Sequence, residues 1–143
     1  MTTLRDATPA CRFQIPPHNA AVPQARHAVV DVAAGWGLHP DHERADTLRL
    51  IVSELVTNAV KHAGMLSPQI DVVLHLTEDG WLRLGVHDRH PFRPKALLET
   101  VDDDSGRGLL IVKHLVAECG GTAGIEPDAD LGGKTVWVAV PLP

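Results

Sequence analysis

Cys11 and Cys119 are the only cysteines in the 143-residue chain. That is too few for a disulfide-dense scaffold or a four-cysteine zinc site. The pair reads as two unpaired thiols, with a single disulfide as the alternative. No run approaches ~18 consecutive apolar residues, so a membrane-spanning helix is not expected. Residues 1–10 lack the apolar segment of a secretory signal, and the expected compartment is the cytoplasm. Basic charge is not in excess either: 13 Lys and Arg face 18 Asp and Glu, a formal net charge of -5. This argues against a chain built to coat nucleic acid, whose phosphates favour basic surfaces.

What remains is enough for one folded domain. A hydrophobic fraction of 44% supports a core, and 12 glycines with 11 prolines imply several turns rather than a plain helical bundle. Residues 1–11 read as a flexible tail and 12–143 as a single domain. Arg12-Phe13-Gln14-Ile15 alternates like a short edge strand before Pro16-Pro17 stops it. A first helix is expected from about 22 to 34, ended by Gly35-Trp36-Gly37. A second begins near Pro40 or Asp41 and carries Leu48, Ile51, Val52, Leu55, Val56, Ala59 and Ala63 on one stripe, with Gly64 as its stop.

Residues 70–77 and 81–87 alternate as two strands, joined at Glu78-Asp79-Gly80 into a hairpin. Residues 88–105 have little periodicity and exceed an ordinary connection, which suits a binding loop with a short helix near 94–99. Helical spacing returns over 107–118, and strands near 121–126 and 134–140 follow. Two helices precede the hairpin, so the order is not a series of strand–helix crossovers. The economical architecture is a two-layer α/β sandwich, a mixed and mainly antiparallel sheet covered by helices.

Three places could carry chemistry. Glu54 and Asn58 stand one turn apart on the border of the second helix, with Lys61 nearby. A carboxylate and an amide oxygen so spaced suit a hard cation, the carboxylate suits a general base, and both suit an ordinary amphipathic border. Asp88 continues the inward parity of Leu82, Leu84 and Val86, and an inward carboxylate needs a donor. The exocyclic amine of adenine or an arginine from the following loop would serve. Gly106-Arg107-Gly108 opens a helix whose first N–H groups suit an anion such as phosphate, while Ser105 could simply cap it.

Other matches fail. Gly133-Lys134-Thr135 is not the end of a Walker A loop, because Asp128 replaces the first glycine and a strand follows where a helix is required. Ile111 occupies the third glycine position of a dinucleotide fingerprint. The nine histidines form no zinc pattern, and Ser53 lacks a nucleophile elbow.

Glu54-Leu55-Val56-Thr57-Asn58-Ala59-Val60-Lys61-His62-Ala63 resembles the N-box helix of the gyrase, histidine-kinase and MutL ATPase superfamily, the GHKL or Bergerat fold. More closely, residues 12–141 resemble the bacterial anti-sigma-factor serine/threonine kinases and their actinobacterial ATP-binding relatives. The resemblance implies ATP and Mg2+ as cofactors, Glu54 as catalytic base, Asn58 as Mg2+ ligand and His62 as a pocket support. It makes Asp88 the reader of the adenine amine. Ser105, Gly106, Arg107, Gly108 and Leu109 become the phosphate loop, residues 89–104 the ATP lid, and Thr135 an aid to adenine recognition. Asp88-Arg89-His90-Pro91 departs from the family by lacking the glycines that commonly follow the aspartate; Arg89, Arg93 or Lys95 could compensate.

The implied activity is phosphorylation of a serine or threonine on an anti-sigma-factor antagonist, with a sigma factor as the sequestered partner. Neither direct nucleic-acid contact nor a membrane is implied, and homodimerisation is compatible with the resemblance. A non-catalytic ATP-binding partner switch would keep Asn58, Asp88 and the glycine loop without using Glu54 as a base. A histidine-kinase ATPase domain would need a phosphoacceptor-helix domain that 143 residues leave no room for. A ligand-free α/β interaction protein is the remaining reading.

Overall fold

The structure is a computed structural model that describes residues 9–63, 69–90 and 107–143, without the side chains of Ala63 and Arg107. The expected stop at Gly64, the short helix near 94–99, the lid with Arg93 and Lys95, and Ser105 and Gly106 lie outside the described residues. Eight elements follow in order: β1 (Ala10–Ile15), α1 (Ala21–Gly35), α2 (Glu43–Ala63), β2 (Ile70–Leu76), β3 (Trp81–Asp88), α3 (Arg107–Glu118), β4 (Thr122–Pro127) and β5 (Lys134–Pro141). The sequence-based expectation has this order, with ends displaced by at most three residues.

The strands form one five-stranded sheet in the order β1-β2-β3-β5-β4. The expected mixed character resolves into antiparallel pairing at all four described ladders. β3 and β4 run in the same direction, but β5 lies between them and opposes both. The β2–β3 hairpin closes where Gly80 adopts a φ of 82°, a conformation that penalises any residue with a Cβ. Thr77 Oγ1 accepts the Trp81 N–H at 2.9 Å and pins the same turn.

Parity decides which side chains enter the core. Along β3 and β5 burial alternates residue by residue, with Leu82, Leu84, Val86, Val136, Val138 and Val140 facing the helices. The α2 stripe meets them: Leu48, Ile51, Val52, Leu55, Val56 and Ala59 are all buried. Each large aliphatic side chain so buried contributes roughly 1.5–3 kcal/mol. α1 adds Ala25, Val29 and Ala33, small residues that allow close approach to α2, and Arg26 Nη1 donates to Ser53 Oγ across that contact at 3.0 Å. Leu109, Val112 and Val116 bring α3 onto the same face. The packing leaves Glu54 and Asn58 half-buried at the stripe's border.

Cys11 and Cys119 are both free thiols, as expected. Among the described residues no helix is long and apolar enough to cross a membrane.

Ile51 is fully buried beneath α2, whereas the adjacent Leu50 is 52% exposed. Ile51→Ala is expected to lower unfolding free energy by about 2–5 kcal/mol in urea, and Leu50→Ala by less than about 0.5 kcal/mol. Equal losses at the two positions would contradict the orientation of α2.

Candidate functional site

Two of the three constellations meet in one cleft. Glu54, Thr57, Asn58 and Lys61 from α2 face Gly108 and Leu109 from the first turn of α3, enclosing about 90 Å³. The contact between the helices is close: a Cβ on Gly108 would lie 2.2 Å from Glu54 Oε1. Gly108 is therefore required for the Glu54 carboxylate to rest against the start of α3, where unpaired N–H groups and the helix dipole favour negative charge. Leu109 is buried and anchors that turn in the core. Arg107 begins α3, as expected.

Asp88 lies at the end of β3 with inward parity, 1% exposed. The donor it needs is neither an arginine of the following loop nor a solvent-facing group, but Lys134 at the start of β5. The two residues are cross-strand partners. Lys134 Nζ lies 3.0 and 3.1 Å from the Asp88 carboxylate oxygens and donates to the His90 carbonyl at 3.1 Å. Asp88 Oδ1 also accepts the His90 N–H at 2.8 Å. Lys134 is the one lysine fully enclosed among the described residues.

Thr135 does not join this cluster. It pairs with His87 on the opposite face of the sheet and lines a shallow recess with Val73, His75, Arg83, Gly85 and Glu126. The physical reason is strand alternation: adjacent residues on β5 point to opposite faces, so Lys134 takes the inward place beside Asp88. The inward parity of Val136, Val138 and Val140, counted back two residues, already assigns Lys134 to the core. That signal is present in the sequence. Arg89 is likewise directed to Asp128 and Asp130, at 2.8 and 3.1 Å, on the far side from the cleft.

Glu54, Asn58 and His62 succeed one another at four-residue steps along α2, a stripe that spans roughly 12 Å. His62 brings the helix to the Asp88 end, its ring centroid 6.2 Å from that of His90. Burial holds the His62 imidazole below its ordinary value, with Lys134, Lys61 and His90 adding to the effect and Asp88 opposing it. The ring therefore favours its neutral form. Among the described residues no group of three or more His, Cys, Asp or Glu side chains is placed to hold a metal. Glu54 and Asn58 offer two hard oxygen donors, which fits a cation completed by ligand and water oxygens rather than an all-protein cage.

Helices laid over an antiparallel sheet, with a Glu–Asn pair facing a glycine-containing helix start, define the α/β class of the domain. The family described as histidine kinase-like ATPase domain matches residues 15–139, and the chain belongs to that family. The sensor histidine kinase PdtaS of Mycolicibacterium smegmatis is 33% identical over 105 residues, covering 71% of this chain and 20% of that protein. The chain thus spans about a fifth of the length of that curated relative. Among solved structures, the RsbU and RsbW domains of Rv1364c from Mycobacterium tuberculosis match with a TM-score of 0.64 and 26% identity. They cover 94% of this chain and 33% of theirs. The histidine kinase domain of the Erythrobacter litoralis EL346 blue-light activated histidine kinase shares the fold, with a TM-score of 0.57, 24% identity, 90% of this chain and 62% of that one. The expected relation to anti-sigma-factor kinases and sensor histidine kinases holds.

The low proton affinity of His62 has a consequence for stability. Its folded pKa lies below the ordinary 6.5, so the unfolded chain binds more protons as pH falls. The contribution of the neutral ring is complete above 6.5 and is lost as pH drops from there towards the folded value. His62→Gln is expected to remove that component, so the difference in urea midpoint between parent and variant changes across the histidine range. A difference independent of pH would refute the assignment.

Proposed function

We propose that residues 12–143 form one ATP-binding domain that transfers the γ-phosphoryl group to a serine or threonine of a regulatory protein. The observation that carries this reading is the Glu54 carboxylate resting against the first turn of α3, beside Asn58. A phosphate at that helix start would meet a carboxylate of like charge. Asn58 would hold a divalent cation there, which would reconcile the two charges and supply charge stabilisation during transfer. Asn58 would orient that cation, and the free N–H groups of α3 would hold phosphate oxygens. Glu54 Oε1 would accept the proton of the acceptor hydroxyl as its oxygen bonds to phosphorus and ADP leaves. Asp88 would receive the adenine amine at the other end of the α2 stripe.

The family relation and the similarity to the RsbU and RsbW domains support an anti-sigma-factor antagonist as the acceptor and a sigma factor as the second partner. A second reading has its own support. Asp88 is 1% exposed and tied to Lys134. Contact between Asp88 and a nucleotide would therefore accompany a local rearrangement, which is the coupling a nucleotide-driven partner switch would use.

Purified protein with Mg2+, labelled ATP and its antagonist separates the two. Glu54→Ala is expected to reduce transfer by about 10²–10⁴-fold while ATP affinity stays within about tenfold. Gly108→Ala should reproduce that loss with a stability change below about 1 kcal/mol, because its methyl displaces only the flexible end of Glu54. Transfer undiminished in Glu54→Ala would reject the base. ATP binding without any transfer by the parent would favour the switch.

A further inference from the structure

The hydrogen bonds of the Asp88–Lys134 pair are divided unequally. Lys134 Nζ meets both carboxylate oxygens and the His90 carbonyl, which accounts for its three protons. Asp88 Oδ1 takes two donors, Lys134 and the His90 N–H, while Oδ2 takes Lys134 alone. A carboxylate oxygen accepts two hydrogen bonds, so Oδ2 retains one acceptor position among the described residues. Separating a buried pair leaves an uncompensated charge, so a ligand is best recognised with Lys134 in place.

We propose that Lys134 is a positioning residue for base recognition: it fixes Asp88 through both oxygens, and with the His90 N–H filling Oδ1 it leaves Oδ2 as a single oriented acceptor. The ligand class is a purine nucleotide carrying an exocyclic amine. A carbonyl oxygen at the same position would set lone pair against lone pair and be rejected. His62 and His90 border the pair. The inference rests on the nucleotide reading above and assigns within it the residue that orients its base contact.

Equilibrium binding with Mg2+ tests it, using ATP and purine riboside triphosphate, which lacks the amine. The parent is expected to prefer ATP. Lys134→Met should lower ATP affinity about tenfold and leave the amine-free nucleotide within about twofold, because a charge-assisted bond is lost only where an amine makes it. The charge-neutral pair Asp88→Asn with Lys134→Met supplies a reference if the single variant does not fold. It should bind both nucleotides as Asp88→Asn alone does, since Lys134 acts through Asp88. Equal losses for the two nucleotides in Lys134→Met, or a further loss on ATP in the double variant, would overturn the role of Lys134 while leaving ATP binding intact. A folded parent that binds neither nucleotide would remove the nucleotide reading, and this inference with it.

Discussion

The apolar stripe of α2 laid across the inward face of the sheet is the constraint from which the rest follows. Ile51, Val52 and Val56 are completely enclosed, so the rotation of the helix about its axis is fixed. Once it is fixed, the positions bordering the stripe have no freedom in where they point. Glu54 meets the start of α3, and His62, two turns on, meets the end of β3. A single packing decision therefore sets both ends of the candidate site. Sheet parity does the same for Asp88 and Lys134, because Val86 and Val136, two residues from each, face the core.

The two ends handle charge differently. At the base end, a carboxylate is compensated within the protein by a lysine that is itself fully enclosed. Such a pair is weak evidence for stability, since desolvation of two ions offsets most of their attraction. Its stronger effect is geometric: it holds one carboxylate in one orientation and ties β3, β5 and His90 together. At the phosphate end the Glu54 carboxylate is half-buried and borders a helix start. That charge borders a cleft, whereas the charge of Asp88 is paired with Lys134 inside the protein. The separation of roles follows from solvent access, one group opening to a cleft and the other sealed beneath the sheet's end.

Much of the fold was legible because its signals are periodic. The α2 stripe, the alternation of β2 and β3 and the Asp-Gly turn each have a local cause, and the structure repeats them. The strand order was not legible, because the insertion of β5 between β3 and β4 depends on pairing distant segments. Of the candidate site, the one-turn spacing of Glu54 and Asn58 and the inward parity of Asp88 were legible from helix and strand geometry. The partner of Asp88 was missed because a lysine reads as a surface residue unless strand parity is carried through it. Thr135 was misplaced relative to Asp88 for the same reason, one residue of alternation separating the two faces.

Under the proposed function, the burial of Asp88 bears on how a nucleotide would be bound. A binding-competent arrangement populated only as a minor fraction weakens apparent affinity by that fraction. The Lys134 tie between Asp88 and the His90 carbonyl would oppose such a rearrangement, and under the proposed function a ligand would have to compensate for its cost. A nucleotide that makes its contacts only in the open form then shifts the population by its differential affinity and no further. On the proposed reading, catalysis and switching would be two uses of one equilibrium. The carboxylate of Glu54 distinguishes them, because phosphoryl transfer needs a proton acceptor beside the phosphate, and a population shift alone does not.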